Sequence, residues 1–120
     1  MISEKSVLIL DDEVLVAFDI GDELAHRGWQ VSDVVCTLDA AATAIQAKRP
    51  DLALLDMNLR GRHSFDLARD LVAQGVAVVF LSGNTASDLP DDLQGCAFLG
   101  KPVNYDRLHE TLVSAVGCEA

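Results

Sequence analysis

The chain is poor in the residues that usually advertise a specialised chemistry. It has three cysteines, Cys36, Cys96 and Cys118, an odd number without metal-ligand spacing. This excludes a disulfide framework and a thiolate metal site, and it suits reduced thiols in the cytoplasm. Three prolines and no low-complexity stretch leave no sign of a linker or an extended segment. No apolar run approaches the length of a membrane span, and Met1-Ile2-Ser3-Glu4-Lys5 lacks a secretory pattern. Basic residues are scarce. Nine lysines and arginines against nineteen acids give a formal charge of −10, which disfavours direct contact with nucleic acid.

What is present is apolar and ordered. Half of the 120 residues are hydrophobic, ample for one packed domain and too few residues for two. Leu52-Ala53-Leu54-Leu55 follows the Pro50-Asp51 turn and reads as a strand buried on both faces, ending on Asp56. Val7 to Leu10 reads the same way and ends on Asp11-Asp12. Val76 to Leu81 ends on Ser82, and Ala97 to Leu99 leads through Gly100 to Lys101-Pro102. A weaker strand covers Gln30 to Cys36.

Helical periodicity lies between these runs. Glu13 to Arg27 carries Ala17, Ile20 and Leu24 inward, with Gly28 as a left-handed cap. Leu38 to Lys48 is closed by Arg49-Pro50, Phe65 to Gln74 is stopped by Gly75, and Asn104 to Val116 is the last helix. Arg60-Gly61-Arg62 reads as a loop. Five β–α units in a row, with right-handed crossovers, predict a parallel sheet covered by helices on both sides, an α/β fold. Its carboxyl edge would collect Asp11, Asp12, Asp56, Ser82 and Lys101, where open α/β sheets place their sites.

That ordered set resembles the receiver domain of two-component response regulators along the whole chain. The resemblance rests on Asp11-Asp12, Asp56, Ser82-Gly83 and Lys101-Pro102, each at the end of its own strand. It implies a flavodoxin-like, CheY-like (βα)5 domain over residues 1–120 with strand order 2-1-3-4-5. The run Asp56-x-Asn58-Leu59-x-Gly61, with Phe80-Leu81-Ser82-Gly83, is similar to a receiver subgroup common in alphaproteobacteria. The Met-Pro pair usual after the phosphorylated aspartate is absent.

Clustered carboxylates repel one another unless a cation intervenes, and a hard divalent ion with oxygen ligands is the usual answer. Asp12 and Asp56 are direct candidates for Mg²⁺ or Mn²⁺, with Asp11 acting through water. The resemblance adds the backbone carbonyl of Asn58. Asp56 beside such an ion can accept a phosphoryl group as an acyl phosphate. Lys101 and the Ser82 hydroxyl would then receive its charged oxygens, and Gly83 would leave room for the donor. The resemblance further implies Ser82 and Phe98 as switch residues and a cis bond before Pro102. It also implies a histidine kinase or phosphotransfer protein as phosphodonor and an output protein as partner, while the short apolar runs imply no membrane contact.

Plainer readings stand beside these. Asp12 could cap the first helix, Ser82-Gly83-Asn84 could be an ordinary turn, Lys101 a surface lysine and Phe98 plain core. His26, His63 and His109 read as surface residues. A phosphatase of the haloacid-dehalogenase kind would want an acid two residues after its nucleophile, where Asn58 stands. A scaffold receiver that is never phosphorylated would not need the full acidic and basic set. The site therefore reads as a phosphoaccepting signalling module that acts only on its own phosphorylation and dephosphorylation.

Three further expectations concern surfaces. Val14 to Phe18 is more apolar than one inward stripe can absorb, so Leu15 or Phe18 should be exposed beside the site as a kinase-docking face. Trp29 should lie at the opposite sheet edge, on the order of 15 Å from Asp56. Between Ser82 and Gly95 only Ala86, Leu89 and Leu93 could form a stripe, and Pro90 interrupts it. A helix there should begin near Pro90, be brief, and respond to phosphorylation.

Overall fold

The computed structural model describes residues 5–83 and 88–117. Met1 to Glu4, Asn84, Ala86 and Cys118, named in the sequence reading, lie outside the described residues. The elements run β1 (Ser6–Leu10), α1 (Val14–His26), β2 (Gln30–Val35), α2 (Leu38–Ala47), β3 (Leu52–Asp56), β4 (Asn58–Leu59), β5 (Arg62–His63), α3 (Phe65–Ala73), β6 (Ala77–Ser82), β7 (Ala97–Gly100) and α4 (Tyr105–Ala115). The main sheet is five-stranded and parallel, ordered β2-β1-β3-β6-β7, which is 2-1-3-4-5 when its own strands are counted.

Every residue of β1 and β3 is buried, as expected of central strands with helices on both faces. Because side chains alternate along a strand, β1 feeds two cores. Val7 and Ile9 pack with Ala17, Ile20 and Leu24 of α1 and with Leu108 and Leu112 of α4. Leu8 and Leu10 pack on the other face with Ala41 of α2 and with Ala68 and Leu71 of α3. The helix ends follow local chemistry. Thr37 Oγ1 accepts the Ala40 N–H at 3.1 Å and Asn104 Oδ1 accepts that of Arg107 at 3.0 Å. Gly28 and Gly75 close α1 and α3 at φ of 100° and 82°.

Departures from the sequence reading are local. Arg60-Gly61 is not a loop but the two-residue turn of the β4–β5 hairpin, with φ of 52° and 83°. Both values are positive, the type I′ geometry that matches strand twist and that favours Asn-Gly. Among the described residues between Ser82 and Gly95, a 3-10 turn at Asp91–Leu93 starts just after Pro90. Leu89, just before it, and Leu93 are buried, and Asp92 pairs with Arg69 of α3 at 2.7 and 3.2 Å. His109 is not a plain surface residue, because its Nδ1 accepts the indole N–H of buried Trp29 at 3.1 Å. Trp29 follows α1 and leads into the amino end of β2, and so lies away from the strand ends that carry Asp11 and Asp56. No described helix is long and apolar enough to cross a membrane.

Candidate phosphoacceptor site

The parallel sheet carries the carboxyl ends of β1, β3, β6 and β7 to one edge, and there the chemistry-bearing residues gather. Asp11, Asp12 and Asp56 each place a carboxylate oxygen within 4.8 Å of the others. Asp11 is fully buried and Asp56 nearly so. The two are held in the same way. Asp11 Oδ1 accepts the N–H of Glu13 at 2.9 Å, and Asp56 Oδ1 accepts the N–H of Asn58 at 3.3 Å. Each therefore folds back on the residue two positions on and leaves its second oxygen for Lys101. Lys101 Nζ reaches Asp11 Oδ2 at 3.0 Å and Asp56 Oδ2 at 3.3 Å.

Backbone bonds lock the frame. Asp11 N–H donates to Val35 O at 3.2 Å, Met57 N–H to Leu81 O at 2.8 Å, and Lys101 N–H to Ser82 O at 2.8 Å. Ser82 is buried at the end of β6 beside Gly100, and the Lys101–Pro102 peptide is cis. A Cβ at Gly83 would meet nothing within 4 Å among the described residues. Phe98 is half-buried on β7 against the α2–α3 core, three residues from Lys101. The helix-cap alternative for Asp12 is not adopted: Glu13 occupies the N-cap of α1.

The electrostatics are those of a site short of positive charge. Burial pushes the Asp56 carboxyl up, the Lys101 charge pulls it down, and the Asp11 charge pushes it up again, so that it stands at about 7. For Lys101, burial acts downward, but the Asp11 hydrogen bond, the Asp56 and Asp11 charges and the Glu13 hydrogen bond outweigh it, and its pKa is raised. Three carboxylates and one ammonium leave room for another cation. An all-oxygen donor set of this kind fits a hard divalent ion.

Two contributors escape a sequence reading. Glu13 Oε1 lies 3.2 Å from Lys101 Nζ, a third carboxylate on the lysine, although position 13 reads as an ordinary helix start. Ser64, fully buried, donates its hydroxyl to the Asp56 carbonyl at 2.8 Å and its N–H to Met57 O at 3.1 Å. A serine just before a helical run signals an N-cap, but Ser64 makes no side-chain cap bond and braces β3 instead.

The response regulator receiver domain family matches residues 7–113. The chain belongs to that family. Receivers of this kind generally bind Mg²⁺, and the acidic cluster here could hold it. The transcriptional regulatory protein PdtaR of Mycobacterium tuberculosis is 26% identical over 116 residues, covering 93% of this receiver and 57% of that protein. The sensory transduction protein LytT of Bacillus subtilis is 30% identical over 114 residues, covering 88% of the receiver and 46% of LytT. The chain thus spans about half the length of these curated relatives. The solution structure of SdrG from Sphingomonas melonis aligns at a TM-score of 0.81 and 28% identity, covering 97% of this receiver and 98% of that chain. The PhyR receiver domain of Erythrobacter litoralis aligns at 0.84 over 96% and 92%, and at 24% identity that likeness bears on the fold alone.

Proposed function

We propose that this receiver, a single domain over residues 1–120, accepts a phosphoryl group on Asp56 from a phosphohistidine of a histidine kinase or phosphotransfer protein. The observation that carries the reading is Lys101 Nζ bridging the Asp11 and Asp56 carboxylates at 3.0 and 3.3 Å. This fixes a cation beside an acceptor oxygen at the open edge of the sheet. The Asp56 oxygen attacks phosphorus, the donor's N–P bond breaks, and its electron pair stays with the imidazole, which takes up a proton. Lys101 and the Ser82 hydroxyl bind the transferred oxygens, and Gly83 keeps the approach clear. Mg²⁺ or Mn²⁺, held by Asp12 and Asp56, by Asp11 through water and by the Asn58 carbonyl, would neutralise charge on the phosphoryl oxygens. Ser82 and Phe98 relay the change to an output protein. With a net charge of −10 that partner is a protein and not nucleic acid. The module works in the cytoplasm and turns over only its own phosphoryl group.

Intact mass after incubation with Mg²⁺ and acetyl phosphate tests this. A labile gain of one phosphoryl is expected, absent in Asp56→Asn. A wild-type protein that gains nothing, or a variant that still labels, would sink the reading.

A further inference from the structure

We infer that Glu13 is a positioning residue that competes with the phosphoryl group for Lys101, and that its displacement reports the state of Asp56 to the start of α1. The inference rests on the phosphoacceptor reading above and deepens it.

An ammonium has three N–H donors, and Lys101 uses all of them on carboxylates: Asp11 at 3.0 Å, Glu13 at 3.2 Å and Asp56 at 3.3 Å. None is left for a phosphoryl oxygen. One of these bonds must break when the phosphoryl group arrives, and the three are not equal. Asp11 is fully buried and cannot turn to water. Acyl phosphate formation takes the charge from the Asp56 carboxyl and passes that donor to one phosphoryl oxygen, so a second phosphoryl oxygen can be met only with a donor taken from Asp11 or Glu13. The Glu13 side chain is 61% exposed and can exchange Lys101 for solvent at little cost. Glu13 is the bond that yields.

The consequence lies in the same residue's backbone. Glu13 is the N-cap of α1, yet its side chain makes no capping bond, because the carboxylate is turned towards Lys101. Once released, that carboxylate is free at the amino end of the helix, where exposed N–H groups and the helix dipole favour negative charge. The first turn of α1, with exposed Val14 and Leu15, would tighten when the site is occupied. This route is separate from the one through Ser82 and Phe98, which leaves the site on β6 and β7.

Beryllofluoride with Mg²⁺, a non-covalent phosphoryl mimic, tests the competition by NMR titration. Glu13→Gln should bind it two- to five-fold more tightly, the range an exposed ion pair supports. Glu13→Asp separates contact from field, because it keeps the charge on a side chain one methylene shorter, which stretches the 3.2 Å bond to the ammonium. It should behave like Glu13→Gln. If it behaves like wild type, the effect is through-space repulsion and the inference fails. It fails equally if Glu13→Gln tightens binding as much in a Lys101→Ala background. Amides 14 to 17 should gain hydrogen-exchange protection with the mimic in wild type, and lose that gain in Glu13→Gln; an equal gain in both would overturn the relay. If wild type does not bind the mimic at all, the phosphoacceptor reading falls instead. If it binds and Glu13→Gln matches it, only the role of Glu13 falls.

Discussion

The Ser64 hydroxyl donates to the Asp56 backbone carbonyl at 2.8 Å, with Ser64 itself wholly buried. The residue that begins α3 thus ties down the end of the strand that carries the acceptor, eight positions earlier in the chain. Ser64→Ala removes a buried donor from that carbonyl, a loss of about 1 to 3 kcal/mol. Urea unfolding should show this as a lower midpoint with an unchanged slope. Because the freed strand end also carries the carboxylate, acetyl-phosphate labelling should slow as well. An unchanged midpoint would mean that the bond does not brace the site.

Arg60 offers a change in the opposite sense. It holds φ at 52° in the β4–β5 turn without being glycine, and among the described residues its guanidinium makes no hydrogen bond or ion pair. A left-handed residue with a Cβ costs roughly 1 kcal/mol or more, and asparagine tolerates the geometry better. Arg60→Asn should therefore raise stability by about 0.5 to 1 kcal/mol, read as a higher melting temperature. A lower one would mean that the arginine side chain stabilises the hairpin through contacts of its own.

The central strands were legible because they obey one rule. Leu52 to Leu55 and Val7 to Leu10 are continuous apolar runs ending on acids, and a parallel sheet brings the ends of such runs to one edge. Asp11, Asp12, Asp56 and Lys101 could be gathered from that alone. Glu13 and Ser64 could not. Both act through tertiary geometry, one by reaching a lysine 88 positions away and the other by spending a hydroxyl on a strand instead of a helix. The Arg60-Gly61 turn has a weak sequence signal because its first residue is not the asparagine that usually marks the type. The role of His109 has no local signal, because its partner Trp29 lies 80 positions away.

The apolar run at the start of α1 divides as its crowding predicts. Ala17 and Ile20 are buried, whereas Leu15 is 81% and Phe18 53% exposed. Leu15 stands two residues after Glu13, so a phosphodonor protein that docks on α1 to reach Asp56 would meet this face. Leu15→Gln or Phe18→Ser should slow phosphotransfer from a cognate histidine kinase several-fold. Labelling by acetyl phosphate, which needs no docking face, should be unchanged, and so should stability, because neither side chain is buried. Equal slowing with both donors would argue against docking.

Asp56 should make the metal-free protein less stable as pH rises. Its carboxyl stands at about 7 in the fold against an ordinary value of 3.8, chiefly through burial. Between those values the folded state keeps a proton that the unfolded chain has released. The folded form binds more protons, so stability falls as pH rises through the window and levels off above about 7. Asn is neutral at every pH and has no such slope. In EDTA, Asp56→Asn and wild type should unfold at similar urea concentrations near pH 4. At pH 8 the variant should be the more stable, by about 2 kcal/mol once solvent screening has taken its share of the shift. Saturating Mg²⁺ should narrow the gap at pH 8, because only the wild-type carboxylate offers the ion its charge. A stability difference that stays constant from pH 4 to pH 8 would mean that the carboxyl titrates where an exposed aspartate does, and that burial does not strain the site.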